Sequence, residues 1–327
     1  MEVNADVLET PEIWPTALQL LEELDTVTDD LLSPQQHRIL ETLYYHIQEV
    51  LDIPEDALGA LRLSNDLRAA SKLLSPQQQR ILVDHYYQVQ EARKRAANQL
   101  RYAKEEPNEW VAFMALTLLR LEKLVAGGLD IASNQQAVSR WAKEQVGIGS
   151  VLAAGLAAHI DITKTPSVSA LWSLAGLNPD AVWAKGELRP WNSKLKNLRW
   201  KIGDSFMKFH NHKDCIYGHL YAARKQLEVQ RNAAGLFREQ AEKTLATRNI
   251  RDKATRAIYE AGQLPAGRLE LRAERVAVKR FLAHYWSVAY YEHYGKIPPR
   301  PYILAAQPGI HTHYVPPPGY ENILVYP

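Results

Sequence analysis

Two twenty-residue stretches of this chain, LLSPQQHRILETLYYHIQEV (Leu31–Val50) and LLSPQQQRILVDHYYQVQEA (Leu73–Ala92), match at thirteen positions at a displacement of 42 residues. Each opens with a serine followed by proline, Ser33-Pro34 and Ser75-Pro76. Serine is a good N-cap, and proline is suited to the first helical position, where its missing N–H leaves nothing unpaired. Each copy therefore starts a helix. Two copies fall short of the three or more that a solenoid needs, so the duplication reads as helix packing rather than a repeat array. Elsewhere apolar residues also recur at three- and four-residue steps, and no segment sustains the two-residue alternation of a strand. The expected fold class is all-α. A chain of 327 residues with 46% apolar content can bury a sizeable core and should form two or three domains.

The second copy continues through YYQVQEARKRAANQLRYAK, breaks at EEPNE and resumes as WVAFMALTLLRLEKLVAGG. Val111, Met114, Leu118, Leu121 and Val125 share one face of the resumed helix, so this stripe is expected to be buried against another helix. Gly127 and Gly128 are expected to end it. The reading is a coiled-coil helical hairpin over residues 73–132, preceded by an acidic helical segment over 1–72. Such a hairpin packs within its own chain or meets its copy in a homodimer.

Charge separates the halves. Residues 1–60 hold 14 Asp and Glu against the single basic residue Arg38, a balance of −13 that leaves +15 for the remainder of a chain of net charge +2. Within 185–231 there are 11 Lys and Arg against 4 Asp and Glu. A basic body of this kind is the electrostatic footprint of a phosphate-backbone binder. Its centre is ELRPWNSKLKNLRWKIGDSFMKF, Glu187 to Phe209. Pro190 blocks a helix upstream, and Asn192 or Ser193 can cap one that runs towards His210. At about 100° per residue, Leu195, Leu198, Ile202, Phe206 and Phe209 form the buried stripe. Lys194, Lys196, Asn197, Lys201 and Lys208 lie mostly opposite, with Trp200 among them, either to stack on a base or to pack under a neighbouring domain. Gly203 allows close approach of another backbone or a ligand. Arg189 and uncapped N–H groups near Asn192 make the helix start a candidate phosphate seat. Lys213, Arg224, Lys225 and Arg231 extend the basic surface.

Upstream, SNQQAVSRWAKEQVGIGSVLAAGLAAHID reads as helix, Gly-apolar-Gly turn at Gly147 to Gly149, then helix from Ser150. This is the helix-hairpin-helix pattern, in which glycines let the backbone approach a phosphate and the next helix points its N–H groups at it. A tight helix connection that touches nothing has the same spacing.

Other chemistries find little purchase. With Cys215 as the single cysteine, neither a disulfide framework nor a cysteine zinc site can be built, which fits a reducing cytoplasm. The pair His311 and His313, with His210 and His212, lacks the fixed carboxylate-histidine spacing of a metal centre, so no metal and no cofactor is expected. The start MEVNADVLETPEIWP is acidic where a signal peptide would be basic, and no apolar run approaches a membrane span. The expectation is a soluble, cytoplasmic protein with no membrane partner. The proline-rich end, KIPPRPYILAAQPGIHTHYVPPPGYENILVYP, should run extended over the body.

From about Val146 to Met207 the chain resembles the C-terminal domain of RNA-guided, serine-type insertion-sequence transposases. The matching elements are GIGSVLAAGL, LAGLNP (Leu174 to Pro179) and WNSKLK (Trp191 to Lys196). Asn192 and Leu195 fit that pattern, while Trp191 and Lys196 stand where it has glycine and arginine. That domain is in turn similar to the NOP domain of the box C/D guide ribonucleoprotein scaffold, in which a coiled-coil arm precedes an RNA-binding helical body. The whole of residues 73–327 most resembles the TIGR-associated (Tas) proteins, prokaryotic and phage NOP-like proteins that bind a short tandem guide RNA. The resemblance implies a NOP-like nucleic-acid-binding domain over 133–327, a guide RNA and a target DNA as partners, and a dimer. It also implies no catalysis. No RuvC-like or HNH segment accompanies these elements, and the transposase's Ser-Gly nucleophile is replaced by Lys185-Gly186. Two rival readings are a helix-hairpin-helix DNA binder without a guide and a scaffold that recruits a separate nuclease.

Overall fold

The computed structural model describes residues 65–102, 109–300 and 314–324. Among them are eleven α-helices and no strand, the all-helical architecture that the spacing predicts. In chain order they are α1 (Asn65–Lys72), α2 (Pro76–Tyr102), α3 (Glu109–Ser133), α4 (Ala137–Lys143), α5 (Ser150–His159), α6 (Val168–Leu174), α7 (Ser193–Lys208), α8 (Ile216–Ala233), α9 (Arg238–Thr247), α10 (Lys253–Glu260) and α11 (Ala266–Tyr294), with a 3-10 turn at Ile162–Lys164. The first copy of the repeat, the acidic residues before Asn65, and His311 and His313 lie outside the described residues. The chain divides into two compact units, Met1–Gln135 with Gly149–Ala158, and Gln136–Ile148 with His159–Pro327. No described helix is long and apolar enough to cross a membrane.

In the first unit α2 begins at the expected proline. Gln78 N donates to Ser75 Oγ at 3.3 Å and Ser75 N donates to Gln78 Oε1 at 2.8 Å, a reciprocal cap that satisfies two end donors. The buried side of α2 then advances by alternating steps of four and three through Gln79, Val83, Tyr86, Gln90, Arg93, Ala97 and Leu100. It packs on α3. Midway, Arg93 Nε donates to Glu122 Oε2 at 2.6 Å and Gln90 Nε2 to Glu122 Oε1 at 3.0 Å, all three residues being buried. A buried charge is tolerated because it is paired and hydrogen-bonded.

The expected stripe on α3 is displaced. The residues buried along α3 include Ala112, Ala115, Glu122 and Leu129; of the expected stripe Val111 packs against the cluster of Ala96, Leu100, Ala112 and Ala115, whereas Leu118, Leu121 and Val125 are half-buried and Met114 is 52% exposed. The alanines let α2 approach more closely than Leu or Met would, and Glu122 gives Arg93 its partner. Gly127 and Gly128 do not end the helix either, which continues to Ser133. Gly128 instead makes room for α1: a Cβ there would lie 3.3 Å from Ser71 Oγ.

The second unit is built around α11, against which α4, α6, α7, α8 and the 3-10 turn pack. Its core is aromatic: Phe206 stacks on Tyr217 at 5.0 Å, and both meet the Phe281 ring edge-on at 5.5 and 5.2 Å. Such pairs add to the burial of large apolar area. Gly295, at φ 62°, closes α11 in the left-handed conformation that glycine adopts readily. The described part of the proline-rich tail is non-helical, as expected. It docks through carbonyls: Trp141 Nε1 donates to Pro318 O at 2.8 Å, and His284 Nε2 lies 3.0 Å from Val315 O. A carbonyl can only accept, so His284 carries its proton on Nε2 and Nδ1 accepts from the Tyr217 hydroxyl at 2.9 Å.

Candidate nucleic-acid interface

Helix α7 starts at Ser193 because Asn192 caps it. Asn192 Oδ1 accepts from both Lys194 N and Leu195 N at 3.0 Å, and the Asn192 N–H donates to Leu174 O at 2.9 Å. The N–H groups read from sequence as an open phosphate seat are thus already satisfied by Asn192. Leu195, Leu198, Ile202 and Phe206 are buried as expected, with Phe209 half-buried at the end of the helix. Lys194, Asn197 and Lys208 are exposed, Lys201 is half-buried, and Trp200 is 50% exposed. Lys208 pairs with Asp204 one turn back at 3.1 Å.

At the start of α7 the loop from α6 folds three sequence-predicted residues, Arg189, Trp191 and Lys196, into one cluster. Gly176, at φ 68°, brings the loop over the Lys196 stem, where a Cβ would lie 2.9 Å from Lys196 Cδ. Lys196 Nζ sits 3.9 Å above the Trp191 ring, Trp191 tilts against Trp183 at 6.5 Å, and the Arg189 guanidinium lies 5.3 Å from the Trp183 ring. The order is cation, ring, ring, cation. Beside it, α11 contributes Arg275 and Lys279, the latter with Nζ 4.8 Å from the Trp172 ring, while Trp172 Nε1 donates to Lys279 O at 3.0 Å. Cation–ring contacts of this kind offset part of the cost of holding charge against apolar surface.

The electrostatics match this geometry. Partial burial, followed by the charges of Arg199, Arg275 and Arg189, holds the Lys196 pKa below the usual lysine value. Burial and then Arg275 do the same to Lys279. Like charges held together in this way raise the local positive potential and favour an incoming anion.

No family model, curated protein or solved structure matches this chain. The reading of the site rests on its own chemistry.

Four further basic residues, Arg199, Arg224, Lys225 and Arg231, have internal partners. Arg199 is buried beside Glu274 of α11, Nη1 to Oε1 at 3.7 Å, and Gly203 gives that carboxylate its space: a Cβ at Gly203 would fall 2.2 Å from Glu274 Cγ. The close approach that Gly203 permits is therefore a glutamate of the same unit. On α8, Arg224 and Arg231 converge with Arg272 on the buried Glu228, and Lys225 Nζ pairs with Glu270 at 2.8 Å. Burial works against the charge on Glu228. The Arg272 hydrogen bond and charge, with the charge of Arg224, outweigh it and hold the pKa below the usual carboxylate value. Lys213 is exposed in the turn after α7.

The glycine turn also spends its groups internally. Gly147, at φ 93°, accepts from Ser205 Oγ at 2.6 Å, and a Cβ there would meet that hydroxyl at 2.8 Å. Gly149 is buried, and Ser150 Oγ donates to Asp130 Oδ1 at 2.6 Å, so a carboxylate of the first unit already faces the start of α5. His210 Nδ1 lies 2.6 Å from Met207 O, and His212 Nδ1 accepts from Asp214 N. Among the described residues no three His, Cys, Asp or Glu are grouped as a metal site would require. Cys215 is buried against Val146 O, and burial pushes its thiol pKa up.

Sequence reasoning missed Trp172, Trp183, Arg275 and Lys279. The Trp183 to Trp191 spacing of eight residues was a usable signal, since both flank Arg189 in one loop. Nothing local connects Trp172 with Lys279, 107 residues later.

Proposed function

We propose that the chain is a non-catalytic guide-RNA-binding scaffold of an RNA-guided DNA-targeting ribonucleoprotein, with a NOP-like second unit and a coiled-coil hairpin in α2 and α3 through which copies dimerise. The observation that carries the binding surface is Lys196, held over Trp191 while three other cations act on it. Partly exposed rings between cations suit unpaired bases strung on phosphates: bases stack, phosphates neutralise, and neither contact reads sequence. Sequence would then be read by base pairing of the guide with its target, the division of labour found in other RNA-guided systems. The four-three spacing along α2 supports the coiled coil. The rival guide-free DNA binder draws less support, because Gly147 and Ser150 have internal partners.

The test is purification of the full chain at moderate salt, followed by sequencing of any RNA that stays bound. The expected result is a discrete short RNA with two variable segments, lost in the double variant Lys196→Glu, Arg275→Glu. Protein that carries no RNA and prefers duplex DNA over structured RNA at the same salt would overturn the reading in favour of the DNA binder. Activity that appears on adding a nuclease partner would identify the recruiting scaffold.

A further inference from the structure

The arginines where α8 meets α11 outnumber the acidic group that holds them. Arg224, Glu228 and Arg231 share one face of α8, at steps of four and three residues, and α11 brings Arg272 against them. Arg272 Nε donates to Glu228 Oε2 at 2.8 Å, Arg224 Nη2 lies 2.5 Å from Glu228 Oε1, and Arg231 Nη1 lies 3.7 Å from the same oxygen. Three guanidiniums thus face one carboxylate, a surplus of +2. The carboxylate is fully buried, whereas the Arg224, Arg231 and Arg272 side chains are 29%, 38% and 34% exposed, so the surplus lies on the solvent side. Donors are left over as well. The further acceptor these arginines meet among the described residues is Gln240 Oε1, 3.3 Å from Arg272 Nη1, and Arg224 Nε is buried with no acceptor.

Packing fixes the frame. The Arg231 and Arg272 guanidiniums lie 5.6 and 4.4 Å from the Phe237 ring, which is itself buried among Ala241, Tyr259, Leu264 and Leu269. Asn232 ties the end of α8 to Leu264, donating to its carbonyl at 3.1 Å and accepting from its N–H at 2.8 Å. Guanidiniums held in this way present paired N–H donors that match the oxygens of a phosphate. We propose that Arg224, Arg231 and Arg272 form a seat for a phosphate monoester, with Glu228 holding the three in register. Charge selects the monoester, which carries about −1.5 to −2 at neutral pH, close to the surplus, against the single charge of a backbone diester. Arg272 lies three residues before Arg275 on α11, about 4.5 Å along the axis, so the seat adjoins the cluster around Lys196 and Trp191. A strand stacked on those rings brings its terminal phosphate to the seat. That source of the phosphate rests on the RNA-binding reading, a free monoester being the other; the seat itself does not.

The test uses the full chain at one moderate salt concentration. In phosphorus NMR titrations, monomethyl phosphate should bind roughly tenfold more tightly than dimethyl phosphate, and Arg224→Gln and Arg231→Gln should each remove that preference with the thermal unfolding transition retained. Equal affinity for the two esters in the native chain, or a preference that survives both substitutions, would overturn the seat. A second arm identifies the source, with a short oligouridine carrying hydroxyls at both ends, a 5′-phosphate or a 3′-phosphate. A phosphate at one end should raise affinity roughly tenfold, Arg231→Gln should abolish that ratio, and Lys196→Glu should weaken all three oligonucleotides alike. Monomethyl phosphate bound as expected while no oligouridine binds would support the seat with a free monoester as its ligand and count against the RNA-binding reading. Oligouridine bound with no gain from either terminal phosphate, and no preference for the monomethyl ester, would overturn the seat and leave the RNA-binding reading standing.

Discussion

Lys196 holds a position that folding alone does not favour. Partial burial and three like charges act against its proton, so Lys196→Met should leave the thermal midpoint unchanged or raise it, while weakening RNA binding roughly tenfold by titration at fixed salt. Loss of function with stability kept or gained is the mark of a residue retained for binding. Asn192→Ala should behave in the opposite way. It strips the cap from two N–H groups, at about 1 kcal/mol by denaturant unfolding, with little change in affinity per folded molecule. Gly203→Ala should cost about 1–3 kcal/mol, because Glu274 must move to admit a methyl group. These contrasts follow how the sequence could be read. The Asn192 cap and the Ser75 cap were legible because their partners lie within four residues. Arg199 with Glu274 and Trp172 with Lys279 were not, because residues 75 and 107 positions apart in the chain meet through the packing of α11.

Helices were more legible than the faces they bury. Spacing placed α2, α7 and the start of α3 where they are found, since apolar periodicity and end signals are local properties. Apart from Val111, it put the α3 seam on the neighbouring arc because large apolar residues mark where burial is favourable, whereas close contact selects Ala112 and Ala115 and a charge that Arg93 can meet. That meeting predicts an asymmetric response. Arg93→Ala leaves Glu122 buried without its cation and should cost about 3–5 kcal/mol. Replacing both, Arg93→Met with Glu122→Leu, should recover most of the loss. Urea unfolding of the two single variants and the double variant separates the coupling from the packing.

For the whole molecule, pH and salt report on different features. Burial, reinforced by the charge of Arg280 and opposed by the Val315 carbonyl, lowers His284 from 6.5 to about 3. Between these values the unfolded chain binds a proton that the folded chain does not, so stability should be retained above about pH 6.5 and fall as pH drops towards 3. His284→Gln should flatten that fall, read as urea midpoints at pH 7, 5.5 and 4.5. Salt should act on RNA binding instead: four or five phosphate contacts give a slope of about −3 in log affinity against log salt. The division of the chain has a further consequence in time. Gly149–Ala158 completes the first unit, where Arg80 Nε reaches Ala158 O and Ser150 reaches Asp130. On a ribosome adding roughly 5–20 residues per second, the hairpin emerges with those groups unanswered. About one to five seconds separate the synthesis of Gln135 from that of Ala158, an interval in which the emerging hairpin presents an unfinished surface.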